Sequence, residues 1–143
     1  MKTELLLVRD GLEGAAPWMA QVLREAGFHV RMASGAELTD IEPAEVVLVR
    51  ISDRDPTATC WTLHRQGYRW IVAVSGSSSS QECIRLLNAG ADYYIDAWLP
   101  PAELVARVKV VLRFSAWLNP MTTEPWATSR SQIRPAAVRT SRR

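Results

Sequence analysis

The feature that most limits how this chain can fold is a regular alternation of short apolar runs with helical patterns. The clearest run, Val46–Val49, is continuous and rich in β-branched residues, which is typical of a strand covered on both faces of a parallel sheet. Similar runs occupy residues 4–8, 28–32, 70–74 and 93–95. Strands that alternate with helices favour an α/β domain, (βα)5, with a parallel five-stranded sheet in the flavodoxin-like order 2-1-3-4-5.

The helical patterns between these strands differ in how clearly their ends are marked. In residues 17–26, apolar side chains recur at helical spacing, Pro17 suits a first turn and Gly27 suits a stop. A serine run before residues 81–88 suits an N-cap. Helices are also predicted over residues 57–65 and 101–112, and a very short one over 36–41.

Length and charge favour one folded domain followed by a basic tail. The 143 residues are 48% hydrophobic, and the formal net charge of +2 is too small to indicate a nucleic-acid-binding protein by itself. After Glu124 there is no acidic residue, and prolines and serines are frequent. We therefore predict a domain over residues 1–114 and a Pro/Ser/Arg-containing linker or tail over 115–143. The arginines that make this tail basic are Arg130, Arg134, Arg139, Arg142 and Arg143.

Several classes of protein are disfavoured by what the chain carries. Cys60 and Cys83 have no metal-binding or disulfide spacing and fall in helical patterns, so we expect small buried side chains. His29 and His64 have no positioned nucleophile, which argues against an enzyme, and no cofactor or metal is expected. The apolar run at residues 5–8 is too short for a signal peptide or a membrane span, so we expect a soluble, cytoplasmic protein without membrane contact.

Three segments carry a resemblance to a known family. Residues 86–114, LLNAGADYYIDAWLPPAELVARVKVVLRF, resemble the last third of a response-regulator receiver (CheY-like) domain, which has a similar A-G-A-D-x-Y segment, a Lys-Pro pair and a Pro-Glu-Leu helix. Residues 5–11, LLLVRDG, resemble its first strand and acidic pair, and residues 70–77, WIVAVSGS, its fourth strand and terminal Ser/Thr. The last helix most resembles the OmpR/PhoB subfamily. The likeness covers about residues 4–114 and implies a receiver fold.

The family's chemistry is phosphoryl transfer from a partner kinase to an aspartate. It requires three carboxylates that hold Mg²⁺, a lysine and a hydroxyl. Carried over by position, Arg9 stands in place of the first acid, Arg50 in place of the acceptor and Ala97 in place of the lysine, while Asp10 and Ser75 remain. The resemblance therefore implies a degenerate phosphorylation pocket without catalytic or metal-binding residues.

An arginine at the acceptor position needs a partner or solvent. We predict an ion pair between Arg50 and Asp10 across the strand ends, in which a fixed positive charge takes the place of the metal. The alternative is that Arg50 points into solvent above the sheet. Asp53 and Asp55 could serve as displaced acceptors, although solvated loop acids are the simpler interpretation.

Two further features of the pocket allow more than one interpretation. Residues 75–80, SGSSSS, open a helix and could bind an anion through backbone N–H groups, although plain N-capping explains them as well. Tyr94 stands where receivers carry an aromatic residue that moves with the Ser/Thr, so Ser75 and Tyr94 form a switch-like pair by resemblance. A tyrosine fixed in one rotamer is the alternative.

The resemblance also implies a surface for self-association. In the OmpR/PhoB subfamily, the fourth helix, fifth strand and fifth helix form a two-fold interface held by charge pairs, and each pair occurs twice. Ordinary pairs within one helix, such as Glu103 with Arg107, are the alternative. The charges that this chain keeps on the face are Arg85, Asp92, Glu103, Arg107 and Arg113.

The function predicted from these observations is that of a phosphorylation-independent pseudo-receiver. It would act as a protein-interaction and dimerisation module in two-component-type signalling or transcription regulation, as a homodimer with an unknown signalling partner. The alternatives are an active receiver phosphorylated on Asp53 or Asp55 and a small-ligand binder at the strand-end crevice. Nucleic-acid contact is only weakly indicated, through the basic tail.

Overall fold

A parallel sheet forms the centre of the computed structural model, which describes residues 4–52, 54–76 and 79–118. The sheet has the order β2-β1-β3-β4-β5, and every neighbouring pair of strands is parallel, so the predicted fold class is confirmed. Asp53 and most of the predicted tail lie outside the described residues. The strands are β1 (Glu4–Val8), β2 (His29–Ala33), β3 (Val46–Val49), β4 (Trp70–Ser75) and β5 (Tyr93–Asp96).

Helices connect the strands, and one predicted helix is shorter than expected. The connection from β2 to β3 contains a single 3₁₀ turn, Gly35–Glu37, where we predicted a short helix over residues 36–41. A capping box between Ser34 and Glu37 closes that turn. The predicted serine N-cap of the helix after β4 is confirmed, because the Ser79 side chain accepts from the Glu82 backbone N–H. The α-helices are α1 (Ala15–Glu25), α2 (Pro56–Arg65), α3 (Ser80–Ala89) and α4 (Pro101–Leu118).

Two apolar clusters lie on opposite faces of the sheet. Within β3, Val46 and Leu48 belong to the cluster that contains residues of α1 and α4. Val47 and Val49 belong to the cluster that contains residues of α2 and α3. Because successive side chains of a strand point to opposite faces, burial on both faces requires a continuous apolar run, as the sequence has here.

The chain divides into two units after Leu112. The unit Met1–Leu112 contains the sheet and its helices. Of the second unit, Arg113–Arg143, the structure describes Arg113–Leu118, the last part of α4. None of the described helices is both long and apolar enough to span a membrane.

Candidate functional site at the carboxyl edge of the sheet

The register of the sheet places Arg9 and Arg50 side by side. Leu7 of β1 pairs with Leu48 of β3, so the two arginines, each two positions further on, leave neighbouring strands at the same level. Neighbouring strands lie about 4.8 Å apart. Both arginine side chains are exposed. The carboxyl edge of β1 and β3 therefore presents two positive charges where the family resemblance places acids.

The Arg50 side chain lies against the loop that follows β1. Its Nη1 donates to the Gly11 carbonyl oxygen at 3.3 Å, and its Cδ lies 2.9 Å from the position that a Cβ on Gly11 would take. Gly11 has φ +75°, a conformation that L side chains rarely adopt. A glycine at this position therefore allows both the turn and the close approach of the arginine.

The charge of Arg50 also acts on the first turn of α3. The pKa of Glu82 is held below its ordinary value, chiefly because the Arg85 side chain donates to this carboxylate. The positive charge of Arg50 is a smaller contribution in the same direction. The electrostatic field of Arg50 thus reaches across the edge from β3 to α3.

Asp10, the retained acid, is held by the backbone and not by Arg50. Its Oδ2 accepts from the Gly35 N–H at 2.5 Å, and a Cβ on Gly35 would lie only 2.7 Å from that oxygen. No ion pair joins Asp10 and Arg50 among the residues that the structure describes. The predicted Asp10–Arg50 pair is therefore wrong. The N–H groups at the start of a helical turn have no acceptor within the turn, and here the Gly35 N–H donates to the Asp10 carboxylate.

Arg9 pairs with the 3₁₀ turn. Its Nη2 lies 3.5 Å from Glu37 Oε1, and about half of each side chain is exposed. The pKa of Glu37 is lowered mainly by the hydrogen bond from the Ser34 N–H, and the charge of Arg9 contributes least. An exposed pair of this kind contributes little to stability. Arg9 keeps its positive charge at the edge of the sheet.

Ser75 and Ala97 lie together where β4 and β5 end. The Ala97 N–H donates to the Ser75 carbonyl oxygen at 2.8 Å, and both residues are buried. The buried methyl group of Ala97 supplies no cation at the position of the family lysine. Tyr94 of β5 is half-buried against the cluster on the α2 and α3 side of the sheet. The switch-like role of Ser75 and Tyr94 stays a prediction.

The Mg²⁺ that the receiver family uses does not fit these residues. Within the described ranges, no group of three or more His, Cys, Asp or Glu residues is arranged to hold a metal ion. Asp10 is occupied by a backbone N–H, and Arg9 and Arg50 stand where carboxylates would be needed. Asp55 is exposed at the N-cap of α2, and Asp53 lies outside the described residues.

An exposed tryptophan completes the edge, at the position where the receiver family has the proline of its Lys-Pro pair. Trp98 follows β5, its side chain is 57% exposed, and its ring centroid lies 6.0 Å from that of Trp18 on α1. The Trp98 N–H donates to Asp96 Oδ1 at 2.8 Å. The indole Nε1 lies 3.8 Å from the position of a Cβ on Gly76. A tryptophan two residues after the end of a strand was the available signal.

The charges of the predicted dimer face are paired within the chain. Arg107 donates to Glu103 Oε2 at 2.9 Å and to the Tyr93 hydroxyl at 3.1 Å, so the local Glu103–Arg107 pair, our alternative interpretation, is confirmed. Arg85 donates to both carboxylate oxygens of Glu82. The side chains of these pairs remain partly exposed. Their contact with a second copy of the chain stays a prediction.

Asp92, another residue of that predicted face, has a structural role. Its Oδ2 accepts from the Ile71 N–H at 2.8 Å and lies 3.5 Å from His64 Nε2. It thereby joins the start of β5 to β4 and to the end of α2. Arg113 is exposed and belongs to the second unit.

Comparison with known proteins supports the fold predicted from the sequence. No family model matches the chain. The chain is 34% identical over 118 residues to the transcriptional regulatory protein GltR of Pseudomonas aeruginosa, a match that covers 76% of this chain and 48% of GltR. The chain thus spans about half the length of that relative.

Solved structures give the likeness in three dimensions. A CheY-like response regulator receiver domain protein from Methanospirillum hungatei is 24% identical with a TM-score of 0.61, over 80% of this chain and 97% of that chain. An orphan response regulator of H. pylori is 24% identical with a TM-score of 0.59, over 78% of this chain and 97% of that chain. These similarities show that the chain has the fold of a response-regulator receiver domain.

Proposed function

We propose that this chain, which has the fold of a response-regulator receiver domain, works without phosphorylation as a protein-interaction module in two-component-type signalling or transcription regulation. The observation that carries the proposal is the position of Arg50 at the end of β3, with its side chain laid over Gly11. The link to transcription rests on GltR, which is described as a transcriptional regulatory protein.

The chemistry of the edge argues against phosphoryl transfer at this position. A guanidinium has no carboxylate oxygen to attack a phosphorus atom, and it stays charged at all physiological pH values. Arg9, one strand away, adds a second positive charge that would repel a divalent cation. The buried Ala97 cannot neutralise phosphoryl oxygens. Arg50 instead supplies a permanent positive charge at this end of the sheet.

The experiment for this proposal is incubation with acetyl phosphate and Mg²⁺, followed by intact mass spectrometry. We expect no added phosphoryl group on the wild-type chain, while a receiver with a complete acidic pocket in the same tube becomes phosphorylated. Asp53→Ala and Asp55→Ala test the displaced aspartates of the alternative function. A stoichiometric, hydroxylamine-labile phosphoryl group that either variant abolishes would establish an active receiver and overturn the proposal.

The surface that we propose for self-association is the α3–β5–α4 face, which carries Ile84, Leu87, Tyr93, Glu103 and Arg107. Ile84 and Leu87 are three residues apart on α3, and their side chains are 57% and 40% exposed. Neighbouring exposed apolar side chains bordered by charged pairs are typical of a contact surface. A two-fold arrangement would bury both copies of this patch.

Sedimentation equilibrium of wild type, Leu87→Asp and Trp61→Asp tests this face. Trp61 is the matched control, since it is an apolar side chain on α2 that is 64% exposed and lies outside the face. We expect a dimer for wild type and for Trp61→Asp, and a monomer for Leu87→Asp. A monomeric wild type, or a dimer that Leu87→Asp leaves intact, would rule out this face. Asp92→Arg is unsuitable here, because Asp92 holds the Ile71 N–H.

A further inference from the structure

We propose that the carboxyl edge of the sheet binds a free nucleotide without covalent chemistry, with Arg50 on the phosphates and Trp98 on the base. This inference goes beyond the interaction module proposed above and does not need the dimer. It assigns a role to two of the exposed side chains at the edge that depart from the receiver pattern. Arg50 is exposed, and Trp98 is 57% exposed.

The spacing of the strands fits a nucleotide. Val49 of β3 pairs with Ala73 of β4, and Ala73 pairs with Tyr94 of β5, so β3 and β5 are separated by one strand. Two strand spacings correspond to about 10 Å. Arg50 directly follows β3 and Trp98 follows β5 by two residues. A nucleoside diphosphate or triphosphate is long enough to contact both side chains.

Trp98 has the properties of a base-stacking platform. Its contact with Trp18, at 6.0 Å between centroids and 34° between planes, supports the indole from the side of α1. The hydrogen bond from the Trp98 backbone N–H to the Asp96 carboxylate fixes the backbone at Trp98. A supported aromatic ring loses little conformational entropy when a base stacks on it, and every nucleobase has a face that can do so.

Arg50 is suited to phosphate because its guanidinium forms no ion pair with a described carboxylate, and its interaction with Glu82 is a longer-range electrostatic one. It donates to a backbone carbonyl, and none of the ion pairs among the described residues includes it. The nearest retained acid, Asp10, is bound to the Gly35 N–H. The planar fork of an arginine matches phosphate oxygens in bidentate geometry.

Gly76 lies at the edge of the sheet between the strands that precede the two side chains. It directly follows β4, the strand between β3 and β5, and it is exposed. Among the described residues apart from its chain neighbours, a Cβ at this position would meet the Nε1 atom of Trp98 at 3.8 Å. A ligand that extends from Arg50 to Trp98 would pass over Gly76.

Isothermal titration calorimetry with ATP, adenosine and pyrophosphate, in buffer with EDTA and without a phosphodonor, tests the site on the full chain. We expect ATP to bind more tightly than either fragment. Arg50→Gln and Trp98→Ala should each weaken ATP binding about tenfold, and Gly76→Leu should weaken it by placing a side chain against the Trp98 indole. Trp61→Ala and Arg65→Gln, an exposed tryptophan and an exposed arginine on α2, are the matched controls and should bind as wild type does.

Three results would overturn the site. They are the absence of ATP binding at millimolar concentration, ATP binding that Arg50→Gln and Trp98→Ala leave unchanged, and pyrophosphate binding as tight as that of ATP. Arg50→Gln keeps the test decisive if Trp98→Ala does not fold, because it changes an exposed side chain and leaves the Trp18–Trp98 contact in place. The two proposals fail in different ways. The nucleotide site fails if ATP does not bind as described, whereas the proposed function fails if a phosphoryl group appears on the chain.

Discussion

Strand β3 and the residue that follows it behave as two different regions of the molecule. Leu48 is fully buried in the cluster on the α1 and α4 side, whereas Arg50, two residues later, is exposed beside Gly11. The strand interior keeps the apolar pattern that a doubly covered sheet requires. The edge residues are free of that requirement. The difference teaches that the fold constrains the residues inside its strands and leaves those at the strand ends open to variation.

The largest expected effect breaks the interior. Leu48→Ala should lower the free energy of unfolding by about 2–5 kcal/mol, because it removes buried methyl groups and leaves a cavity. Arg50→Ala, the matched change at the edge, should alter it by no more than about 0.5 kcal/mol. Urea unfolding of both variants measures the contrast. If Arg50→Ala costs as much as Leu48→Ala, the edge is part of the folding core and the comparison fails.

The next effect concerns the join between β4, β5 and α2. Asp92→Ala should cost about 1–3 kcal/mol, because the Ile71 N–H inside the sheet loses its acceptor. His64→Ala removes only the half-exposed 3.5 Å contact with Asp92 and should cost less than about 1 kcal/mol. The same urea experiment separates the two. Equal costs would show that the hydrogen bond from the Ile71 N–H to the Asp92 carboxylate does not dominate the contribution of Asp92 to stability.

A smaller effect follows from pH. Burial raises the pKa of the Cys60 thiol above 9.0 and, with a small opposing effect of Arg31, that of the Tyr68 phenol above 10.0. For a group whose folded pKa is raised, the stabilisation is complete below its unfolded pKa and is lost as pH rises. Stability should therefore begin to fall near pH 9.

Unfolding midpoints in urea at increasing pH measure this loss. Cys60→Ala removes the buried thiol and should make the alkaline decline shallower, although it also lowers stability at neutral pH. Cys83→Ala, on the partly exposed cysteine of α3, serves as the control. A decline that begins well below pH 9, or one that Cys60→Ala leaves unchanged, would contradict this origin.

How much the sequence could predict follows the same division between interior and edge. The continuous apolar run of β3 and the alternation around it indicated a doubly covered parallel sheet, and the flavodoxin-like order is the natural candidate for five such strands. The short helix over residues 36–41 was overestimated, since one capping box closes a single 3₁₀ turn there. Strand ends also placed Arg9 and Arg50 correctly at the edge.

The contacts of the edge residues could not be read from the sequence. The partner of Asp10 is a backbone N–H 25 positions away, and no pattern of residue types marks such a donor. Trp98 rests on Trp18, which comes 80 positions earlier in the chain, so the support of its ring depends on tertiary packing. Side-chain direction at the end of a strand is decided by these neighbours and not by local propensity.

The most direct test of the central claim is a Mg²⁺ titration followed by the backbone amide resonances of residues 9–11 and 50–52. If Arg50 has replaced the metal site, wild type should give no saturable shift at these amides at millimolar Mg²⁺. A receiver with a complete acidic pocket, titrated in the same way, should give saturable shifts at the corresponding amides. Saturable shifts at these amides in the wild-type chain would contradict the claim that this receiver fold has lost its metal-dependent chemistry.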